Sequence, residues 1–203
     1  MRPHSVYRDL LGKDAWNRLY PEVQQRFSVR PAGADQILYR GVMHRVELSP
    51  MGWLFAQVCR LFGTPLAPYR GKDIDMEIAL TWNKKLRGVT WHRKYVFGPR
   101  RVFTVRSTKS VQGKSAIVEH IGHGFSMRLE LSERNGNLVF TSTRYDVTIG
   151  GWVIRIPAIL TPGVTTVTHE QIEGERFRFS LSVKHPLLGQ TIFQDGEFHA
   201  AST

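Results

Sequence analysis

The sequence predicts a mainly β fold, an antiparallel closed or nearly closed β-barrel of about ten strands with N-terminal helices. Three observations carry that prediction. From Gly71 onward almost every segment alternates apolar and polar residues with period two. Turn residues bound those segments at short intervals, and Asn135-Gly136 between two alternating runs is the sharpest hairpin signal. No helical periodicity recurs after Gly63, which excludes a parallel βαβ sheet. A meander of this many strands leaves adhesive edges unless it closes into a barrel or folds into a sandwich, and we favour the barrel.

The elements follow in order. Leu11, Ala15, Trp16 and Leu19 share one helical face, Pro21 stops or restarts that helix, and 22–27 form a short second one, so that 8–27 are helical. A strand spans 37–48, but its faces are ambiguous. Ser49-Pro50 reads as an N-cap and first-turn proline of a helix over 50–63, carrying Trp53, Leu54, Val58, Leu61 and Phe62, which plugs or packs on the barrel. Strands are expected at 74–82, 88–97, 101–109, 115–122, 125–131, 137–147, 164–173, 175–184 and 190–199. The stretch 152–162 breaks alternation, and Pro157 and Pro162 bar it from a central strand, so it is a lid, a crossing loop or a helical turn. Neither a repeat nor a linker composition divides the 203 residues, which are read as one domain over 1–203.

Composition bounds the function. With 28 Lys+Arg against 17 Asp+Glu the chain carries a formal charge of +11, which suits nucleic acid, anionic lipid or an acidic small ligand. The single cysteine, Cys59, excludes an internal disulfide framework and suits a reducing compartment. No signal peptide or transmembrane helix is read, so the expected location is cytoplasmic, with peripheral membrane contact through helix 50–63 left open.

The informative anomaly is charge on apolar faces. Trp91, Arg93, Tyr95 and Phe97 share strand parity; Ile117 and Ile121 flank Glu119; Phe140 shares parity with Arg144 and Asp146. A buried charge must pair, reach a wet cavity or meet a ligand, and small barrels can hold one small ligand. The functional reading is an apolar cavity lined by Trp91, Tyr95 and Phe140, with Arg93 and Arg144, and Asp146 beside them, orienting a ligand's polar or anionic end. The bland reading is that the charges pair near a rim, or that a bulge turns them outward.

Other chemistry is weaker. In a strand His120 and His123 point to opposite faces, so no metal site is expected, and no cofactor is implied. No Gly-x-Ser-x-Gly elbow or phosphate-binding loop occurs. Glu119 and Glu170 are the candidate acid–base carboxylates if the cavity is an isomerase or cyclase site, and burial would then raise a carboxyl pKa. Basic turns at Lys84-Lys85-Leu86-Arg87 and Arg100-Arg101, with Trp82, Trp91, Tyr95 and Phe103 nearby, could track single-stranded nucleic acid. Solvated hairpin tips explain them as well, and nucleic acid is the least favoured partner. A homodimer through an uncovered edge stays open.

Several motifs together resemble the bacterial family known as domain of unknown function 4166. They are Leu10-Leu11-Gly12 with Trp16, Arg60-Leu61-Phe62-Gly63 with Pro65, Gly71-Lys72-Asp73, Trp91-His92-Arg93, Glu119 with Gly122, His169-Glu170, Phe177-Arg178-Phe179 and His185-Pro186-Leu187-Leu188-Gly189. The chain departs from the family where His120 replaces an Arg and Ile121 an aromatic. Members are sometimes fused to saccharopine-dehydrogenase-like domains, so the resemblance implies a setting in small-molecule metabolism and no particular activity. In architecture the sequence is also similar to calycin-like ligand-binding barrels, although it lacks a lipocalin signature.

Overall fold

A computed structural model describes residues 6–31, 35–61, 66–113 and 116–201. Three short helices, α1 (Val6–Leu11), α2 (Lys13–Asn17) and α3 (Pro21–Ser28), precede β1 (Ile37–Leu48) and α4 (Pro50–Leu61). The rest is strand: β2 (Gly71–Asn83), β3 (Gly88–Val96), β4 (Val102–Gln112), β5 (Ala116–Gly122), β6 (Phe125–Arg134), β7 (Asn137–Ile149), β8 (Trp152–Ile156), β9 (Val164–Gln171), β10 (Phe177–His185) and β11 (Gly189–Ala200). The expected first helix is broken at Gly12, whose φ of 85° no helix accommodates. The expected end of the fourth, at Gly63, lies outside the described residues.

Every pairing is antiparallel, and ten strands close into a barrel. Closure comes from β1 pairing with β11 and from β7 pairing with both β6 and β9. The eleventh strand, β8, hangs on the far half of β7, so the stretch expected as a lid or loop begins as an edge strand. Its prolines fall after the strand, beside a 3-10 turn over Ala158–Leu160. The hairpin between β6 and β7 turns through Asn135 and Gly136, both at positive φ (50° and 79°), as that dipeptide predicts.

Two bulges decide which side chains point inward. In β1 the pairing shifts between Met43 and Arg45, so Tyr39 and Met43 are buried before the shift, and Val46 and Leu48 after it. That switch is why the sequence left the faces of this strand undecided. In β7 the pairing shifts opposite Arg128 and Leu129, leaving Thr143 as the extra residue. Leu138, Phe140 and Ser142 face in before it, and Tyr145 faces in after it.

The interior is packed with aromatic and aliphatic side chains, Phe140, Phe198, Ile78 and Ile117 among the least exposed. Each removes roughly 1.5–3 kcal/mol of apolar surface free energy from water. Helices cover both ends. At the end where β6 turns into β7, Tyr20 donates its backbone N–H to Gly136, and Phe27 packs edge-on to His169 and against Phe140. At the opposite end α4 lies against β11 so closely that a methyl on Gly52 would sit 2.0 Å from the Thr191 carbonyl oxygen. This contact uses the small face of the helix, Gly52 and Ala56, and leaves Trp53, Leu54 and Val58 exposed. None of the described helices is long and apolar enough to cross a membrane.

Candidate functional site

Alternation along β3, β4 and β5 delivers three charges to the barrel interior. On β3, Trp91, Arg93 and Tyr95 all point in. On β4, Val105, Ser107 and Lys109 do the same, and on β5 Ile117 and Glu119. Glu119 Oε1 accepts from Lys109 Nζ at 3.1 Å, from Arg93 Nη2 at 3.3 Å and from the Ser107 hydroxyl at 2.5 Å. Arg93 also donates to the Ser107 hydroxyl. Lys109 Nζ sits 4.9 Å from the Trp91 ring centroid, so one ammonium serves both a carboxylate and a π face.

The electrostatics are asymmetric. Burial by itself pushes the Glu119 carboxyl up, but Lys109, Arg93 and Ser107 outweigh it, and the group is held below the usual carboxylate range. Burial pulls Lys109 down; Glu119 opposes this, while Arg93 adds to it. The carboxylate has two cations, whereas the ammonium shares one anion with another cation. With all three ionised the interior carries one excess positive charge. Two donors there, Arg93 Nε and Trp91 Nε1, are buried without a partner among the described residues.

A cavity of ≈ 230 Å³ adjoins this cluster. Phe55, Val58 and Cys59 of α4 and Leu160 of the 3-10 turn close its outer end; Met127, Tyr145 and Leu181 form its walls. Arg93 and Glu119 are the charged groups on its lining and mark its inner end. Beyond them a ≈ 30 Å³ space continues past Lys109 and Trp91 to His169. Tyr95 donates to Gln194 at 3.0 Å, and Tyr145 to the Gly163 carbonyl at 3.0 Å, so both phenols are held by the barrel. Burial pushes both up, and it does so most strongly for Tyr7, where the Glu119 charge adds to it.

His169 sits in an aromatic cage, with the ring centroids of Phe27, Phe179, Trp91 and Phe140 at 5.0, 5.6, 5.8 and 5.9 Å. Burial, followed by the charges of Arg26, Lys109 and Arg93, holds it well below the usual histidine range, so it is neutral. Its Nδ1 is buried without a partner among the described residues.

Of the expected site residues, Trp91, Arg93, Tyr95, Glu119 and Phe140 do face inward. Arg144 and Asp146 do not. The Thr143 bulge reverses their parity, and they pair with each other at 2.9 Å in a groove on the outer face of the barrel. Glu170 follows the inward His169 and is turned outward, opposite Arg178 in register, so it cannot work with Glu119. The anticipated rise of a catalytic carboxyl pKa is reversed at Glu119. Trp91 and Tyr95 are inside and not beside the basic turns. His120 donates to or accepts from Ser110 at 2.9 Å and lines the outer groove with His123. Among the described residues no three His, Cys, Asp or Glu side chains gather to hold a metal.

Sequence reasoning missed Ser107 and Lys109, although Phe103, Val105, Ser107 and Lys109 share parity and the same argument would have found them. It also missed Tyr145, which only the bulge turns inward. No curated protein and no solved structure matches this chain significantly. A family model does match it, over residues 19–198, and with that span the chain belongs to the family described as Domain of unknown function (DUF4166).

Proposed function

We propose that the barrel binds a hydrophobic small molecule with an anionic end, seated in the cavity beneath α4 with its headgroup at Arg93. The observation that carries this reading is the division of the lining. The walls are apolar, and the charged groups, Arg93 and Glu119, stand together at the inner end. An ionised carboxylate or sulfate placed there neutralises the excess positive charge and gives the buried Arg93 Nε an acceptor. Such charge-assisted bonds in a desolvated site are about twice as strong as neutral ones. The apolar tail contributes in proportion to the area it removes from water.

The test is thermal unfolding with medium-chain fatty acids, alkyl sulfates and alcohols of equal chain length. At about 100 times Kd an anionic ligand adds roughly 2.7 kcal/mol, a rise of roughly 5–10 °C for a chain of this size. The alcohols are expected to give less. Arg93→Gln is expected to erase the difference between anion and alcohol, and Val58→Trp, at the mouth, to weaken both. Unchanged melting with every amphiphile, or equal melting shifts in Val58→Trp and the parent chain, overturns the reading.

A further inference from the structure

The end of the barrel that carries the cavity mouth is built unlike the rest of the surface. Most large apolar side chains that are exposed among the described residues lie there, with Val6, Tyr20, Val29 and Val111 the exceptions. Trp53 and Leu54 stand on the outer side of α4, and Trp152 and Ile154 on β8. Leu160 ends the 3-10 turn, and Leu187 tops the turn between β10 and β11. Trp152 is 78% exposed and Leu187 72%, far from what folding alone would select.

These elements adjoin one another. Leu160 and Val58 both line the mouth. His185 Nε2 lies 3.2 Å from the Ile159 carbonyl oxygen, and the His185 ring is 5.9 Å from Phe55. The collar is therefore formed by α4, the 3-10 turn and the β10–β11 turn, with the β7–β8 hairpin projecting beside them.

Charge completes the picture. The described stretches that build this end, 49–61, 66–72, 147–165 and 183–194, contain no Asp or Glu. They carry exposed Arg60, Arg70, Lys72, Arg155 and Lys184. Of the carboxylates on neighbouring strands, Asp195 is engaged by Arg45 at 2.9 Å, Asp73 by His44 at 3.1 Å and Asp146, opposite Arg155 in register, by Arg144 at 2.9 Å, while Glu47 and Asp75 are exposed. Cations outnumber these carboxylates, with Arg100 and Arg101 adding to the five above, and apolar and tryptophan side chains bordered by an excess of cations are the chemistry that enters the headgroup region of an anionic bilayer.

We propose that this end docks on an anionic lipid surface and that the cavity exchanges its ligand with the bilayer through the mouth. The second half of the proposal rests on the ligand reading above; the first half does not. The small-residue contact of α4 supports it, because Gly52 and Ala56 hold the helix to the barrel while its large apolar residues remain free for lipid.

The experiment is co-sedimentation of the full chain with phosphatidylcholine vesicles, with and without phosphatidylglycerol, at ionic strengths of about 0.1 M and 1 M, where the screening length falls from about 10 Å to about 3 Å. Partitioning onto the anionic vesicles is expected to exceed that onto the zwitterionic ones by at least about tenfold at the lower salt and to collapse at the higher. Trp152→Ser combined with Leu187→Ser, both highly exposed, is expected to reduce it by about tenfold or more. Arg155→Glu combined with Lys184→Glu should do the same. Both double variants should keep the melting shift given by soluble amphiphiles, which separates docking from ligand binding. No sedimentation with anionic vesicles at low salt overturns the proposal, as does sedimentation unaffected by either double variant. A dimer in vesicle-free solution that the apolar double variant dissociates also overturns it, since the collar would then be an interface between two copies.

Discussion

Glu119 is the residue on which the interior charge depends. Changing it to Gln leaves Lys109 and Arg93 buried with no counter-charge, a loss expected to cost about 3–5 kcal/mol in denaturant unfolding. Adding Lys109→Met to Glu119→Gln should recover part of that loss, because the same ammonium no longer needs a partner; strict additivity of the two changes would refute the coupling. His169 gives a separate pH signature. Its folded pKa lies well below 6.5, so below that pH the unfolded chain binds a proton that the folded one excludes. The stability from its neutral burial is complete above about pH 7.5 and is lost as pH falls through 6.5, at up to about 1.4 kcal/mol per unit. His169→Phe removes this dependence while keeping an aromatic in the cage. His92 and His120, also held low, are present in both proteins and cancel in the comparison. Parallel stability curves for the two proteins between pH 7.5 and 5 would rule out the assigned cause.

At the scale of the element, α4 is held by a contact that tolerates no side chain. Gly52→Ala gains about 1 kcal/mol of helix propensity, but its methyl meets a backbone oxygen at 2.0 Å and must push the helix away from β11. Overpacking of that kind costs about 1–3 kcal/mol, and the close approach is to backbone, which cannot rotate aside. The net loss is about 0–2 kcal/mol, a fall of up to about 8 °C in Tm, and a variant melting above the parent would show that the helix is not fixed there. The sequence disclosed α4 and nearly every strand because period and turn chemistry are local properties. It did not disclose which side of α4 packs, since large apolar residues suggested the core while the docking face is Gly and Ala. Parity found Trp91, Arg93 and Glu119 because β3 and β5 carry their inward faces unbroken. It failed for Arg144 and Asp146 because one extra residue, Thr143, is set by pairing with β6 and leaves no trace in the alternation of β7 itself.

For the molecule as a whole, capping at both ends makes cavity size the limit on what can be bound. The N-terminal helices close one end with Phe27 against the His169 cage, and α4 closes the other with Phe55, Val58 and Cys59. The ≈ 230 Å³ between them lies just under the roughly 300–1,000 Å³ that holds drug-sized ligands. Liquid water occupies about 30 Å³ per molecule, so the closed barrel holds an amphiphile of about eight heavy atoms. In a series of saturated fatty acids, each methylene that enters this space contributes about 0.8 kcal/mol, or about fourfold in affinity. Affinity is therefore expected to climb about fourfold per carbon in the short acids and to level off near about six carbons, which with the two carboxylate oxygens fill the space, where the next methylene finds α4 in place. Val58→Ala enlarges the mouth side of the cavity and should move the plateau to longer chains, whereas Gly52→Ala should move it through displacement of the helix. Calorimetric titration of the series measures all three. An affinity that rises without a break to sixteen carbons in the parent chain would mean that the helix opens freely and that the cavity seen between the caps does not set the ligand's length.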